Sequence, residues 1–270
     1  MLENRRMYVD SHCHLSFPEL FENLPAIRQA MADAKVERAL CICTTLDEFE
    51  RVHSLATTYD NFWCSVGVHP DDAESREPSV AALLELARRP KVVAIGETGL
   101  DYYRLEGRSL AEMEWQRERF RVHIRAARAA RLPLVIHTRS SSADTLRVLD
   151  EEQGGEAGGV FHCFTETAEV ARAALDRGFH ISFSGILTFK TAQALRDVAA
   201  FVPLERCLIE TDSPYLAPVP FRGRRNSPAY VPHVASQLAA VKGLSVEEVA
   251  EATRVNFDRL FSAVNVVSRT

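Results

Sequence analysis

The first imidazoles along the chain, groups able to hold a metal or move a proton, are His12 and His14, in the run Asp10-Ser11-His12-Cys13-His14. In extended backbone alternate side chains share a face, so both imidazoles point one way and Cys13 the other. Such an H-x-H pair alone is a weak signal. Further along, Glu97, His137, His162 and the run Glu210-Thr211-Asp212 also stand at the ends of short apolar runs. A solitary buried histidine is ordinarily a hydrogen-bonded core residue. Four imidazoles and two carboxylates at equivalent ends of five runs point elsewhere. Gathered without a cation they would have shifted proton affinities and poorly paired polar groups. Two divalent ions would compensate the negative charge and use the lone pairs, and mixed nitrogen and oxygen donors suit Zn²⁺, Mn²⁺ or related ions better than an all-oxygen calcium cage. The expected ligands are His12, His14, Glu97, His137, His162 and Asp212, holding ions drawn from Mg²⁺, Mn²⁺ and Zn²⁺. Metal-activated water implies hydrolysis. Glu97, midway in the ligand order, is the candidate bridge, and Asp212 the candidate general base.

Those residues need a scaffold that brings distant strand ends together. Strand patterns cover Tyr8–His12, Ala39–Thr44, Phe62–Val68, Val92–Glu97, Leu134–His137, Val160–Cys163, Phe179–Phe183 and Cys207–Thr211. Helical patterns alternate with them, including Ala26–Ala34, Glu48–Thr58, Val80–Arg89, Ala111–Arg131, Ala143–Glu152, Thr167–Asp176 and Thr191–Phe201. Strand, crossover helix, strand, without hairpin signals, implies a parallel sheet covered on both faces. Eight such units in 270 residues predict an α/β chain folded as a (β/α)₈ TIM barrel, a single domain over residues 1–270. Active sites of that fold lie where the strands end in their C-terminal direction, which is where the candidate ligands stand. A Ser245–Glu248 capping box opens a last helix to about Phe257, after one at Val231–Val241. Residues 213–230 form a long Pro- and Gly-rich loop, of a length more often functional than idle.

Composition narrows the partners. A net charge of −5, with only four lysines among 32 basic residues, gives no global field for non-specific nucleic-acid binding. It leaves room for an enzyme that meets a few phosphates at a metal site. Six cysteines lack any C-x-x-C spacing, and Cys41 and Cys43 read as buried small hydrophobes on one strand face. Neither a signal-peptide pattern nor an apolar run of membrane-spanning length is present, so a cytoplasmic protein is expected. On Ala111–Arg131, the arginines Arg117, Arg121, Arg125 and Arg128 read as a solvated helix surface before a nucleic-acid stripe.

Substrate contacts are expected from His69, Arg139 and Arg222. Arg222, with Arg224 and Arg225, lies in the loop beside the mouth and suits a phosphate clamp or a merely solvated basic loop. Arg139 would meet a phosphate or pair with Asp144; His69 would donate to the substrate or cap the turn before Pro70. Glu210 can orient a ligand without binding metal. Tyr102, Tyr103 and Tyr215 offer rings for stacking or for packing.

Across essentially its whole length the chain resembles the TatD-type metal-dependent deoxyribonucleases, and within them the bacterial YcfH-like branch. The resemblance is carried by Val9-Asp10-Ser11-His12-Cys13-His14-Leu15, Val66-Gly67-Val68-His69-Pro70 and Ala94-Ile95-Gly96-Glu97-Thr98-Gly99-Leu100-Asp101-Tyr102. It continues through Pro133-Leu134-Val135-Ile136-His137-Thr138-Arg139, Phe161-His162-Cys163-Phe164, Leu208-Ile209-Glu210-Thr211-Asp212-Ser213-Pro214 and the Pro220…Pro228 loop. It implies a metal-dependent hydrolase barrel with the same six ligands and 3′–5′ exonuclease action on DNA, here expected at single-stranded 3′ ends. One departure is Ser16, where the family usually has Asp or Asn; the surroundings of the His12/His14 ion would be weakened. The competing expectation is an amidohydrolase-like esterase or amidase acting on a small molecule or aminoacyl ester. Related barrels often use a carbamylated lysine as bridge, but no lysine ends any of the ligand-bearing strands. An inert metal- or nucleic-acid-binding module is the third reading, and it would need neither the paired carboxylates nor an open mouth.

Overall fold

The computed structural model describes residues 7–262. Its strands are β1 (Tyr8–Cys13), β2 (Val36–Cys41), β3 (Phe62–Val66), β4 (Val92–Asp101), β5 (Leu134–Arg139), β6 (Gly159–Phe161), β7 (His180–Phe183) and β8 (Cys207–Ile209). They form one eight-stranded sheet in sequential order, with β1 to β8 paired in parallel, neighbour to neighbour. The last gap closes just past β8, where the Asp212 N–H donates to His12 O at 2.9 Å and the His14 N–H to Ser213 O at 2.9 Å. The result is the (β/α)₈ barrel.

Alternation along the strands divides the apolar residues between two cores. Leu40 and Ile42 join an inner cluster with Val9, Trp63, Val135 and Leu208, into which Phe257 and Phe261 pack. Cys41 and Cys43 face the larger cluster between strands and helices, where Phe120, Ile124, Phe161 and Phe179 are buried. All six cysteines are free thiols. Helix Val246–Leu260 opens with the expected capping box, in which the Ser245 side chain and Glu248 satisfy each other's backbone N–H.

Strand ends differ from the sequence pattern in one consequential place. β4 runs to Asp101, four residues past Glu97, and all ten of its residues are buried. Glycines permit this. At Gly99 φ is +128°, and an added Cβ would lie 2.0 Å from His137 O, so only glycine lets β4 and β5 approach so closely. The segment predicted as one helix from Ala111 starts as a 3₁₀ turn, Leu110–Met113, with its own Ser109–Glu112 capping box, before helix Glu114–Ala130. Its arginines are not all solvated. Arg121, Arg125 and Arg128 pair with surface glutamates, but Arg117 is buried and bonds Tyr102 Oη at 2.9 Å and Asp144 at 3.1 Å. The helix turns that face inward because Tyr102 and Asp144 offer partners beneath the loop after β4. No helix among the described residues is long and apolar enough to cross a membrane.

Candidate metal centre

His12, Glu97 and His137 sit within β1, β4 and β5, His14 and His162 one residue past β1 and β6, and Asp212 three residues past β8; the closed sheet draws these positions together. Two clusters result, and Glu97 belongs to both. Its Oε2 lies 3.3 Å from His12 Nε2 and 3.9 Å from His14 Nε2, while Asp212 Oδ1 lies 3.6 Å and 3.3 Å from the same two nitrogens. Its Oε1 lies 2.9 Å from His162 Nε2 and 3.2 Å from His137 Nδ1. His12 and His162 bring the clusters into contact, their rings stacked with centroids 3.8 Å apart. All six expected ligands are therefore together.

Hydrogen bonds fix the backbone that carries these side chains. Buried Asp10 receives the Thr211 N–H at 2.9 Å, the Thr211 hydroxyl at 2.5 Å and the His12 N–H at 3.2 Å, tying the end of β1 to the segment after β8. Asn226 in the 213–230 loop donates to Thr211 O at 2.8 Å and Tyr215 O at 2.6 Å, so that loop is pinned beside Asp212. Asp212 itself takes a left-handed backbone, φ 54°, a region that aspartate tolerates better than most residues.

The donor set fits divalent metal. The Nε2 atoms of His12 and His14 face each other at 3.2 Å while converging on two carboxylate oxygens, and their Nδ1 atoms have no hydrogen-bond partner. Two imidazole nitrogens aimed at one point between carboxylates make a cation's donor set. Among the described residues, three-residue groups whose donor atoms lie close enough to surround an ion are His12, His14 and Glu97; His12, His162 and Asp212; and His69, Glu97 and His137. Burial opposes ionisation of Glu97, yet the surrounding His162, His69 and His12 outweigh it and hold the carboxyl well below its usual range. Burial likewise opposes charge on His162, but Glu97 and Glu210 hold it well above its usual value. The pocket favours negative charge on Glu97 and positive charge beside it.

The expected substrate residues divide. His69 is closer in than a rim position: its Nδ1 accepts the Asp71 N–H at 3.1 Å, which leaves the proton on Nε2, 3.3 Å from Glu97 Oε1. It therefore caps the turn and also points a donor into the centre. Arg139 lines the mouth, stacked on the exposed Tyr103 ring at 3.7 Å, and does not pair with Asp144, which Arg117, Tyr102 and Arg147 occupy. Arg222 stacks over Phe189 at 3.6 Å, and the cavity wall does not include it. Ser16 is buried and its hydroxyl has no partner. Tyr102 is buried in its hydrogen bond to Asp144, whereas Tyr103 and Tyr215 are exposed. The cavity above the clusters has a volume of about 790 Å³; Phe17, Tyr215, Arg104, Arg139, Asp71 and Asp72 are in its wall.

Three residues that matter here were not singled out from the sequence. Asp101 approaches His137 Nε2 at 2.9 Å. Arg119, buried, donates to His69 O at 2.8 Å and Asp72 O at 2.7 Å and so holds the His69 turn. His123 accepts the Val68 N–H at 3.0 Å. Asp101 carried a signal, since it lies two residues before Tyr103 in a strand that could have been extended. Arg119 and His123 carried none, because their partners lie about fifty residues away.

Residues 9–262 match the family described as TatD related DNase. The chain belongs to that family. It is 46% identical over 257 residues to the uncharacterized metal-dependent hydrolase YcfH of Escherichia coli K12, covering 94% of this chain and 95% of the relative. The 3′-5′ ssDNA/RNA exonuclease TatD of Citrobacter rodentium is 36% identical, covering 84% and 88%. Among solved structures, the TatD homologue YjjV of Escherichia coli K12 superposes with a TM-score of 0.87 at 29% identity, over 96% of this chain and 99% of that one. This TatD-family chain is accordingly a metal-dependent hydrolase.

Proposed function

We propose that this TatD-family hydrolase removes nucleotides from single-stranded 3′ ends of DNA, using two divalent ions drawn from Mg²⁺, Mn²⁺ and Zn²⁺. The observation that carries the reading is Glu97, whose separate oxygens face two clusters at the base of one open cavity. In this role His12, His14 and Asp212 would hold one ion and His137 and His162 the other, with Glu97 contributing to both. When bound, the pair supplies Lewis acidity for a phosphoryl oxygen and lowers the proton affinity of the attacking water. The chain's own groups do the rest. Asp212, its side chain still 15% exposed and its carboxyl held below the usual range chiefly by His14 against the effect of burial, accepts the proton of that water. His69 directs its Nε2–H at the phosphoryl oxygen, and Arg139 and Arg104 orient neighbouring phosphates at the rim. Phe17 and Tyr215 offer ring faces to an unpaired base. Arg222 would have to leave Phe189 to reach a more distant phosphate.

The test is incubation of metal-loaded protein with 5′-end-labelled single-stranded DNA. Stepwise shortening from the 3′ end is expected, reduced about a thousandfold in His137→Ala, equivalent to ~4 kcal/mol of barrier. One observation favours a second reading: Asp71 and Asp72 stand in the cavity wall against only Arg104 and Arg139, an acidic setting for a polyanion. Turnover of a small ester, amide or aminoacyl ester far above any on DNA would replace the nuclease reading with that one.

A further inference from the structure

The two clusters differ in what stands behind their imidazoles. His12 and His14 have unpartnered Nδ1 atoms, but both histidines of the other cluster are backed by a buried carboxylate. Asp101 Oδ2 lies 2.9 Å from His137 Nε2, and His137 Nδ1 then faces Glu97 Oε1. Glu210 Oε1 lies 3.2 Å from His162 Nδ1, and His162 Nε2 then faces Glu97 Oε1. An ion seated beside Glu97 would need the lone pairs of the nitrogens that face that carboxylate, so each ring proton would then lie on the nitrogen that meets Asp101 or Glu210, where an ionised carboxylate can only accept it. Opposite ring nitrogens would thus carry the proton in the two histidines, with both lone pairs directed to the side of the same glutamate oxygen.

We propose that Asp101 and Glu210 are positioning residues that set these tautomers, Nε2–H in His137 and Nδ1–H in His162. The inference rests on the reading of His137 and His162 as ligands. It acts through hydrogen-bond direction, which separates it from a simple need for negative charge. The second acceptor duty of each carboxylate provides the distinction. Asp101 Oδ1 receives the Tyr103 N–H at 2.9 Å, while its other oxygen meets the ring. In Asp101→Asn the amide oxygen is therefore held by Tyr103 and the NH₂ group faces Nε2. That nitrogen must then accept, and the proton moves to Nδ1, the atom whose lone pair the ion needs. The main chain of Asp101 cannot turn to compensate, because Gln116 bonds both its N–H at 2.9 Å and its C=O at 3.1 Å. Glu210 differs: Oε1 alone meets His162 Nδ1 and receives the Cys163 N–H at 2.8 Å, while Oε2 has no partner. In Glu210→Gln the amide oxygen keeps both bonds and the NH₂ takes the idle position. Both substitutions remove one charge; only the first reverses a tautomer.

The experiment compares the two variants with wild type by Zn²⁺ competition against a chromogenic chelator, and reads the ring protons of the Zn²⁺-loaded wild type by ¹⁵N-histidine NMR. Asp101→Asn is expected to weaken one Zn²⁺-binding event by roughly 10- to 100-fold, with Glu210→Gln changed by no more than a few-fold. In the loaded wild type the His137 proton is expected on Nε2 and the His162 proton on Nδ1. Equal weakening in both variants overturns the proposal. So does a loaded wild-type His137 protonated on Nδ1, a result that needs no variant to fold. No readout involves a substrate, so a failure to cleave DNA would leave this result standing.

Discussion

At the scale of single residues, a hydrogen bond decides what a titratable side chain can do. Glu97 serves two clusters because its oxygens face different histidines, and His69 can only donate into the site because its Nδ1 is occupied by the Asp71 N–H. The same principle fixes His123, which belongs to neither cluster. Its Nδ1–H donates to Arg119 O at 2.8 Å and its Nε2 accepts from Val68, leaving no acceptor for a second proton. Burial pushes its pKa from 6.5 down to about 4. The unfolded chain therefore binds a proton in the interval between those values that the folded chain does not. Stability is full above the unfolded pKa and falls as pH drops toward the folded one, by ~2 kcal/mol near pH 5. Urea unfolding at about pH 7 and pH 5 should show that dependence in wild type, and His123→Gln should remove that share of it. An equal pH dependence in both would refute the assignment. The six candidate ligands that the fold brings together were legible in the sequence because each is a chemically distinctive residue near the end of an apolar run. Asp101, Arg119 and His123 were not, since each acts through a partner that only the fold supplies.

At the scale of elements, the site depends on how closely β3, β4 and β5 lie. An added Cβ at Gly67 would be 2.5 Å from Gly96 C, and one at Gly99 would be 2.0 Å from His137 O. The carbonyl of a candidate ligand thus rests against a glycine. Gly99→Ala adds a clash and an unfavourable backbone angle together, and should cost at least ~2 kcal/mol of stability. It should also displace His137 and lower metal content, measured by thermal unfolding and metal analysis on the same sample. Wild-type values in both would show that β5 has room to move. Strand order and helix alternation could be read from the apolar periodicity, which the barrel preserves. The ends of strands could not. β4 outruns its apolar pattern because Thr98, Gly99 and Asp101 are buried by β5 and by Gln116 of the next helix, whereas β6 stops at Phe161, before His162. The buried face of Glu114–Ala130 was misread at Arg117 for a related reason: charge along a helix looks solvated until a buried partner such as Tyr102 and Asp144 is known.

At the scale of the whole molecule, closure of the barrel turns residues from the two ends of the chain into neighbours. His12 and Asp212 are 200 positions apart, yet the Asp212 N–H bonds His12 O. Net charge is −5, and the arginines in the cavity wall are Arg104 and Arg139, so few phosphates can be neutralised at once. Binding of single-stranded DNA should accordingly depend weakly on salt, with log K falling at a slope of about −1.4 for two phosphates. A slope steeper than about −4 in a fluorescence-anisotropy titration would mean a longer basic track than this surface provides. The most direct measurement is the metal stoichiometry of wild type and Glu97→Ala after identical loading and removal of free ions. Two ions per chain are expected in wild type, with both weakened in the variant because each cluster loses an oxygen. A wild-type protein that retains none, or a Glu97→Ala protein that retains both with unchanged affinity, would contradict a centre built around that glutamate.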